Sequence, residues 1–285
     1  MTSERTAAVF EALIGAPVAR RVLDRGGREL SWIEAGQGPT VVFEAGATCP
    51  VIGFAAVFKA LASEHRVIAY DRAGYGASDV APLSVELQVD DLIAVLDESG
   101  PAVLVGHSWG GLLVQLATWK RPELVEGLVL LDPSHEGFWS PPPVLPSEDI
   151  REAELLVGSQ EQAATTARVA ETSPEVGVLL VDACLSYLAT DEQMATHLAE
   201  IPMILEHLPE LAERRTGAVW PEIPVAVFTA TKGRPEAFIP RVLALQNELA
   251  AATNGKHTVV PDSGHFLHHD RPDLIINAIR EVAAG

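Results

Sequence analysis

From about residue 19 onward, short apolar runs alternate with longer segments of helical period. Thr40–Glu44 (TVVFE), Arg66–Tyr70 (RVIAY), Ala102–Gly106 (AVLVG) and Val225–Thr229 (VAVFT) are nearly unbroken apolar runs. Strands buried on both faces read this way. Arg20–Leu23 and Leu30–Glu34 flank the Arg25-Gly26-Gly27 turn, and Leu128–Leu131 and His257–Val260 complete a set of eight strands. Between them Val51–Glu64, Val85–Glu98, Trp109–Lys120, Val242–Ala252 and Asp273–Ala284 carry helical spacing. Strands that alternate with crossover helices predict an α/β fold built on a doubly wound, mostly parallel sheet.

One interruption breaks the alternation. From Pro133 to about Ile223 no strand pattern occurs. A proline-rich loop (Pro141, Pro142, Pro143, Pro146) opens it, and helical patterns follow near Asp149–Glu171, Glu175–Leu188, Asp191–Glu200 and Ile204–Arg214. A segment of this length between two sheet strands predicts an inserted α-helical cap rather than a loop. The expected division is a core of residues 1–132 and 224–285 with a cap of residues 133–223.

Composition narrows the class. The 285 residues are 48% hydrophobic, ample for a packed core, and carry a formal net charge of −19. That charge argues against nucleic-acid partners and anionic membrane surfaces. Two cysteines, Cys49 and Cys184, lack metal-type spacing and fit a reducing compartment. Met1–Pro17 shows no basic-then-apolar leader and no apolar run reaches membrane length, so the expected location is the cytoplasm.

Gly106-His107-Ser108-Trp109-Gly110 matches G-x-S-x-G. It lies between the apolar strand at 102–105 and a helix starting near Trp109, where a nucleophile elbow belongs. The turn is tight, and side chains two positions either side of the serine would strike the adjoining strand and helix. Ser108 is thereby held out at the carboxyl edge of the sheet. Tyr70-Asp71-Arg72-Ala73-Gly74-Tyr75-Gly76-Ala77-Ser78-Asp79 and Ser263-Gly264-His265 follow in an order that, with the elbow, resembles the α/β-hydrolase superfamily over nearly the whole chain. The resemblance names a fold with many chemistries, not a substrate.

His265 follows the last strand, so it belongs at the same sheet edge as Ser108 and has the pKa of a general base. The resemblance implies a carboxylate partner for it. Many relatives carry an Asp beyond the strand that follows the cap, but here that stretch reads Thr229-Ala230-Thr231-Lys232-Gly233-Arg234-Pro235-Glu236. Asp132, at the end of the preceding strand, is favoured as the acid for its shorter, more rigid placement. Glu236 is the alternative, and Asp262 ranks behind both. The backbone N–H groups of Trp109 and Ala47 are the expected oxyanion donors. At the latter position Glu44-Ala45-Gly46 replaces the family's His-Gly, with Glu44 expected to take over the structural role of the lost histidine. Asp71 and Arg72 are expected to brace loops, His107 to pack beneath the elbow, His268 and His269 to enter a helix, and Phe138 and Trp139 to line a pocket.

The sequence therefore predicts a serine hydrolase acting on a small-molecule ester or lactone through an acyl-enzyme, needing no metal or cofactor. The serine at the elbow argues against epoxide hydrolases and haloalkane dehalogenases, which place a carboxylate there. Two rivals stand beside this reading. One is an aminopeptidase of the proline iminopeptidase type, with Glu206, Glu210 or Glu213 holding the substrate amine. The other is a ligand-binding protein on the same scaffold with little turnover. Substrate identity and oligomeric state have no readable code.

Overall fold

The structure is a computed structural model that describes residues 3–285, with side chains from Thr6 on; Met1 and Thr2 lie outside the described residues. Eight strands form one sheet in the order β1-β2-β4-β3-β5-β6-β7-β8. They are β1 (Ala19–Asp24), β2 (Glu29–Ala35), β3 (Thr40–Glu44), β4 (Arg66–Tyr70), β5 (Ala102–His107), β6 (Val125–Leu131), β7 (Val225–Ala230) and β8 (Lys256–Val260). β2 pairs antiparallel with both β1 and β4, and every pair from β4–β3 to β7–β8 is parallel.

The continuous apolar runs are explained by burial on two faces. Val41 and Phe43 of β3, Val103 and Val105 of β5 and Val129 and Leu131 of β6 enter one core. The alternate residues Val42, Leu104, Leu128 and Leu130 enter the other. Each such side chain removed from water contributes roughly 1.5–3 kcal/mol. Helices cover both faces: α1 (Ser3–Ile14), α2 (Ala55–Leu61), α3 (Val85–Ser99), α4 (Trp109–Lys120), α5 (Glu148–Val169), α6 (Pro174–Leu185), α7 (Asp191–Thr216), α8 (Ile239–Ala252), α9 (Leu267–Asp270) and α10 (Pro272–Ala283). In α10 the buried stripe is Ile275, Ala278, Ile279 and Val282, spaced for one helical face. It approaches β6 so closely that a Cβ on Gly127 would come within 2.4 Å of Val282 Cγ1.

Three elements differ from the sequence expectation. The helix expected at Val51–Glu64 begins as a 3-10 turn, Val51–Phe54, before α2. The two helices expected at Asp191–Glu200 and Ile204–Arg214 are one 26-residue helix, α7, which runs through Pro202 and Pro209. Each proline forfeits an N–H bond and crowds the carbonyl four residues earlier, but a buried stripe of His197, Glu200, Met203, Ile204, Leu208 and Leu211 continues across Pro202 and holds the helix together. α1 was not expected at all. It buries Phe10 and Leu13, and Phe10 packs on Phe58 of α2 at 4.6 Å between ring centroids.

Between β6 and β7 every regular element is helical: α5, α6, α7 and short 3-10 turns, one of them Glu136–Trp139. Among the described residues no helix is long and apolar enough to cross a membrane.

Candidate active site

The chain ends of β5 and β6 create the site. Ser108 follows β5 with φ 52° and ψ −118°, and Asp132 follows β6 with φ 45°. Both are non-glycine residues in sparsely populated backbone conformations, at a cost on the order of 1–3 kcal/mol each. Neighbouring strands hold them there. Ser108 N–H donates to Leu131 O at 3.0 Å, Ser134 N–H to Ser108 O at 2.8 Å and Asp132 N–H to Phe228 O at 2.7 Å. The glycines of the elbow are steric necessities. A Cβ on Gly106 would lie 2.7 Å from Gly110 O, and one on Gly110 would lie 2.3 Å from Glu44 O. Ser108 stands at the cap position of α4, yet its hydroxyl makes no capping bond, so helix formation does not consume it.

His265 comes from the loop between β8 and α9. Its Nδ1 lies 2.6 Å from Asp132 Oδ2, which leaves Nε2 as the other ring nitrogen. Asp132 is fully buried and the imidazole is 43% exposed. The same carboxylate accepts from Ala230 N–H at 3.3 Å and from the Arg234 guanidinium. Arg234 is anchored in turn by Nε donating to Ala230 O at 2.9 Å. Among the described residues Asp132 is the carboxylate within hydrogen-bond distance of His265 Nδ1. Glu236 is exposed in the next loop, and Asp262 pairs with Arg271 at 3.2 Å. Ser108, Asp132 and His265 line one cavity of about 520 Å³, and so do Phe138, Trp139, Phe238 and Phe266.

His107 packs under this arrangement. It is buried, its Nε2 sits 2.9 Å from His265 O, and its ring lies 4.6 Å from that of His265. Burial holds its pKa well below the usual histidine value, so a neutral ring supports the His265 loop. His268 and His269 are buried in the short α9, and His269 Nε2 lies 3.2 Å from Gly53 O. Among the described residues no cluster of His, Cys, Asp or Glu is arranged to hold a metal ion.

The loop after β3 is fixed by a buried charge network. Glu44 is 1% exposed; its carboxylate accepts from Arg72 Nη1 at 2.8 Å and from the Tyr70 hydroxyl. Arg72, 3% exposed, also donates to Ala45 O at 2.7 Å and to Gly46 O at 2.8 Å. Its second carboxylate partner is Glu200 of α7, at 3.1 Å. Glu200 further accepts from Thr48 N–H at 2.7 Å, Tyr75 Oη at 2.5 Å and Gln88 Nε2 at 2.7 Å. Gln88 Oε1 in turn accepts from Trp109 Nε1 at 2.8 Å. Burial opposes the charge on Glu200, but Arg72 and the hydrogen bonds outweigh it and lower its pKa. Asp71 stands apart. It accepts from Ala77 N–H at 3.1 Å and from the Tyr187 hydroxyl, and burial raises its pKa to about 6.

Arg72 and Glu44 thus brace the loop, as their sequence context implied. Glu200, Gln88, Tyr75 and Arg234 were not anticipated. The carboxylates considered as amine holders, Glu206, Glu210 and Glu213, are all exposed and do not line the Ser108 cavity. Glu210 instead pairs with Arg214, four residues on.

A serine on a strained strand-to-helix turn, with a histidine and a buried aspartate at the same edge of a mostly parallel sheet, defines a class of hydrolase scaffold. Residues 41–278 match the model of the Alpha/beta hydrolase family, and the chain belongs to that family. It is 25% identical over 268 residues to the mouse sn-1-specific diacylglycerol lipase ABHD11, covering 86% of this chain and 81% of that protein. It is 38% identical over 84 residues to mouse Epoxide hydrolase 4, a match of 27% of this chain and only 23% of that enzyme's length. The crystal structure of Cfl2 from Burkholderia cenocepacia superimposes with a TM-score of 0.69 at 21% identity, covering 92% of this chain and 94% of that one.

Proposed function

We propose that the protein is a serine hydrolase that cleaves a carboxylic ester or lactone of a small molecule through an acyl-enzyme. Ser108 is the nucleophile, His265 the general base and Asp132 its orienting acid. The observation that carries this reading is the 2.6 Å contact between His265 Nδ1 and Asp132 Oδ2, with Ser108 on the wall of the same cavity.

In this mechanism Ser108 Oγ attacks the carbonyl carbon while its proton passes to His265 Nε2. Asp132 keeps the Nδ1 proton in place and stabilises the imidazolium. The tetrahedral oxyanion is met by two backbone N–H groups. Trp109 N–H begins α4, so no intrahelical carbonyl accepts it. Ala47 N–H belongs to the peptide whose carbonyl, Gly46 O, is held by Arg72. In a trans peptide N–H and C=O point in opposite directions, so that N–H faces away from the guanidinium. Gly46 lies on the serine side of its loop, where a Cβ would sit 3.3 Å from Ser108 Cβ. Collapse of the intermediate expels the alcohol with a proton from His265. Water, deprotonated by His265, then releases the acid and restores Ser108. The aromatic side chains Phe138 and Trp139 serve as apolar walls for substrate, and residues 133–223 act as a cap over the core formed by 1–132 and 224–285.

A serine at the elbow favours acyl chemistry over the alkyl-enzyme route, which needs a carboxylate nucleophile. The exposed positions of Glu206, Glu210 and Glu213 weigh against an amine-holding aminopeptidase site. Mixing the enzyme with a short p-nitrophenyl ester in excess gives a burst of nitrophenolate equal to the enzyme concentration, and Ser108→Ala gives none. Undiminished turnover in Ser108→Ala would overturn the assignment. Binding of ester without release of product would instead support a ligand-binding protein.

A further inference from the structure

A second cavity, of about 310 Å³, lies among the inserted helices, walled by Arg151, Leu155 and Gln162 of α5, His197 and Ile201 of α7, and Thr48. It is close to the reacting groups. Gln162 faces both this cavity and one of about 250 Å³ that reaches His265, and His265 lines the cavity of Ser108. The first two spaces share Gly158 and Gln162 of α5 as walls, and the second shares His265 and Phe266 with the cavity of Ser108. Thr48 stands two residues beyond Gly46, a span of at most about 7 Å, so a substrate arm of about six to nine atoms reaches from the carbonyl at Ser108 into the far space.

His197 gives that space its chemistry. It is 1% exposed and packs against Tyr75 at 4.2 Å between ring centroids. Neither ring nitrogen makes a hydrogen bond of ordinary geometry among the described residues, although the Thr48 backbone lies beside the ring. Burial pushes its pKa down to about 4, against the pull of Glu200, so the ring is neutral at pH 7, and the Thr48 backbone favours a proton on the side it faces. A neutral imidazole with one N–H leaves its other nitrogen as a bare acceptor. Buried polar atoms without partners are rare in native proteins and call for an explanation. Arg151 donates through Nη1 to Leu198 O at 2.6 Å, while its Nε has no partner among the described residues. Glu200 and Arg72 act on the ring in opposite directions, Glu200 the more strongly, and Glu154 adds a carboxylate to the cavity wall.

We propose that this cavity is a binding subsite for the non-reacting arm of the substrate, and that the arm carries a hydrogen-bond donor, an amide N–H or a hydroxyl, for which His197 supplies the acceptor nitrogen. The proposal rests on the serine-hydrolase reading for its link to Ser108, but the cavity's ligand is testable without turnover. The first measurement compares p-nitrophenyl 6-acetamidohexanoate with p-nitrophenyl nonanoate, which have acyl chains of equal length with and without the amide. His197→Phe lowers the ratio of their kcat/KM values about fivefold to tenfold, the loss expected for one internal hydrogen bond. The second measures binding of N-hexylacetamide to Ser108→Ala by saturation-transfer NMR. Binding is present there and lost when His197→Phe is added. Ile201→Phe, which fills the cavity from its wall and keeps the imidazole, weakens both responses and serves if His197→Phe fails to fold. An unchanged ratio, or N-hexylacetamide binding indifferent to both substitutions, would mean that the cavity holds water only and would overturn the proposal. If neither ester shows Ser108-dependent release, the reaction assignment fails, while amide binding still decides the subsite.

Discussion

Glu200→Leu tests whether the inserted helices and the loop after β3 are held together by buried charge. Glu200 is fully buried and accepts from Arg72, Thr48 N–H, Tyr75 Oη and Gln88 Nε2. Leucine has comparable volume, so the packing defect is small. What remains is a 3%-exposed guanidinium with Glu44 as its one carboxylate partner, and its Nε already lacks a partner. Breaking a buried ion pair from one side costs about 3–5 kcal/mol. For a chain this long each kcal/mol lowers Tm by roughly 2–4 °C, so calorimetry should record a drop of roughly 6–20 °C. Glu200→Gln keeps an acceptor oxygen and should lose less than half as much. Glu206→Gln, exposed on the same helix, should stay within about 0.5 kcal/mol of the parent. A Glu200→Leu protein melting within about 2 °C of the parent would refute the argument that this network stabilises the fold.

Three further outcomes are expected. Asp132→Asn should lower kcat by about 10⁴-fold through loss of the correct His265 tautomer, whereas Glu236→Gln should change ester hydrolysis less than about twofold; comparable losses in the two would separate the 2.6 Å contact from catalysis. The Asp71 carboxyl, raised by burial to about 6, contributes stability that is fully present below its unfolded pKa of about 4 and is lost as pH rises through 6. Asp71→Asn should therefore abolish a decline of roughly 3 kcal/mol between pH 4 and 7 in urea-melt stability, and parallel curves for the two proteins would contradict it. Gly110→Ala places a Cβ 2.3 Å from Glu44 O and 2.4 Å from Ala45 O, both backbone atoms; the elbow cannot yield, and the variant should be destabilised by more than about 3 kcal/mol or fail to express in soluble form.

What the sequence disclosed was whatever is contiguous. β5, the elbow and α4 occupy one unbroken stretch, so period, glycine spacing and the strand-to-helix turn read together. Asp132 was within reach because the acid needs only a strand end beside β5, and β6 provides the adjacent one. The missing parts are non-local. Glu200 meets Thr48, Arg72 and Tyr75 across separations of 152, 128 and 125 residues, and no local pattern marks a glutamate for burial. Its place in a stripe with His197, Met203 and Ile204 was the available signal. It was obscured because Pro202 read as a helix boundary. Arg234 escaped notice for a different reason. The loop after β7 is where a carboxylate is expected, and its contribution is a cation on the carboxylate of the neighbouring strand.

The length of α7 has a consequence for how molecules come and go. Near its middle the helix is tied by Glu200 to the floor of the site, and near its end Arg215 grips Glu136 at 2.6 and 3.0 Å and Gln115 at 3.0 Å. A rod pinned at two points cannot swing like a door without tearing charged groups from their partners. The cavity of Ser108 is walled instead by Phe138, Trp139, Lys232, Gly233, Arg234 and Phe238, none of them in α7. Whatever binds at the serine is therefore bordered by the loops at 134–139 and 232–238 rather than by this fixed beam.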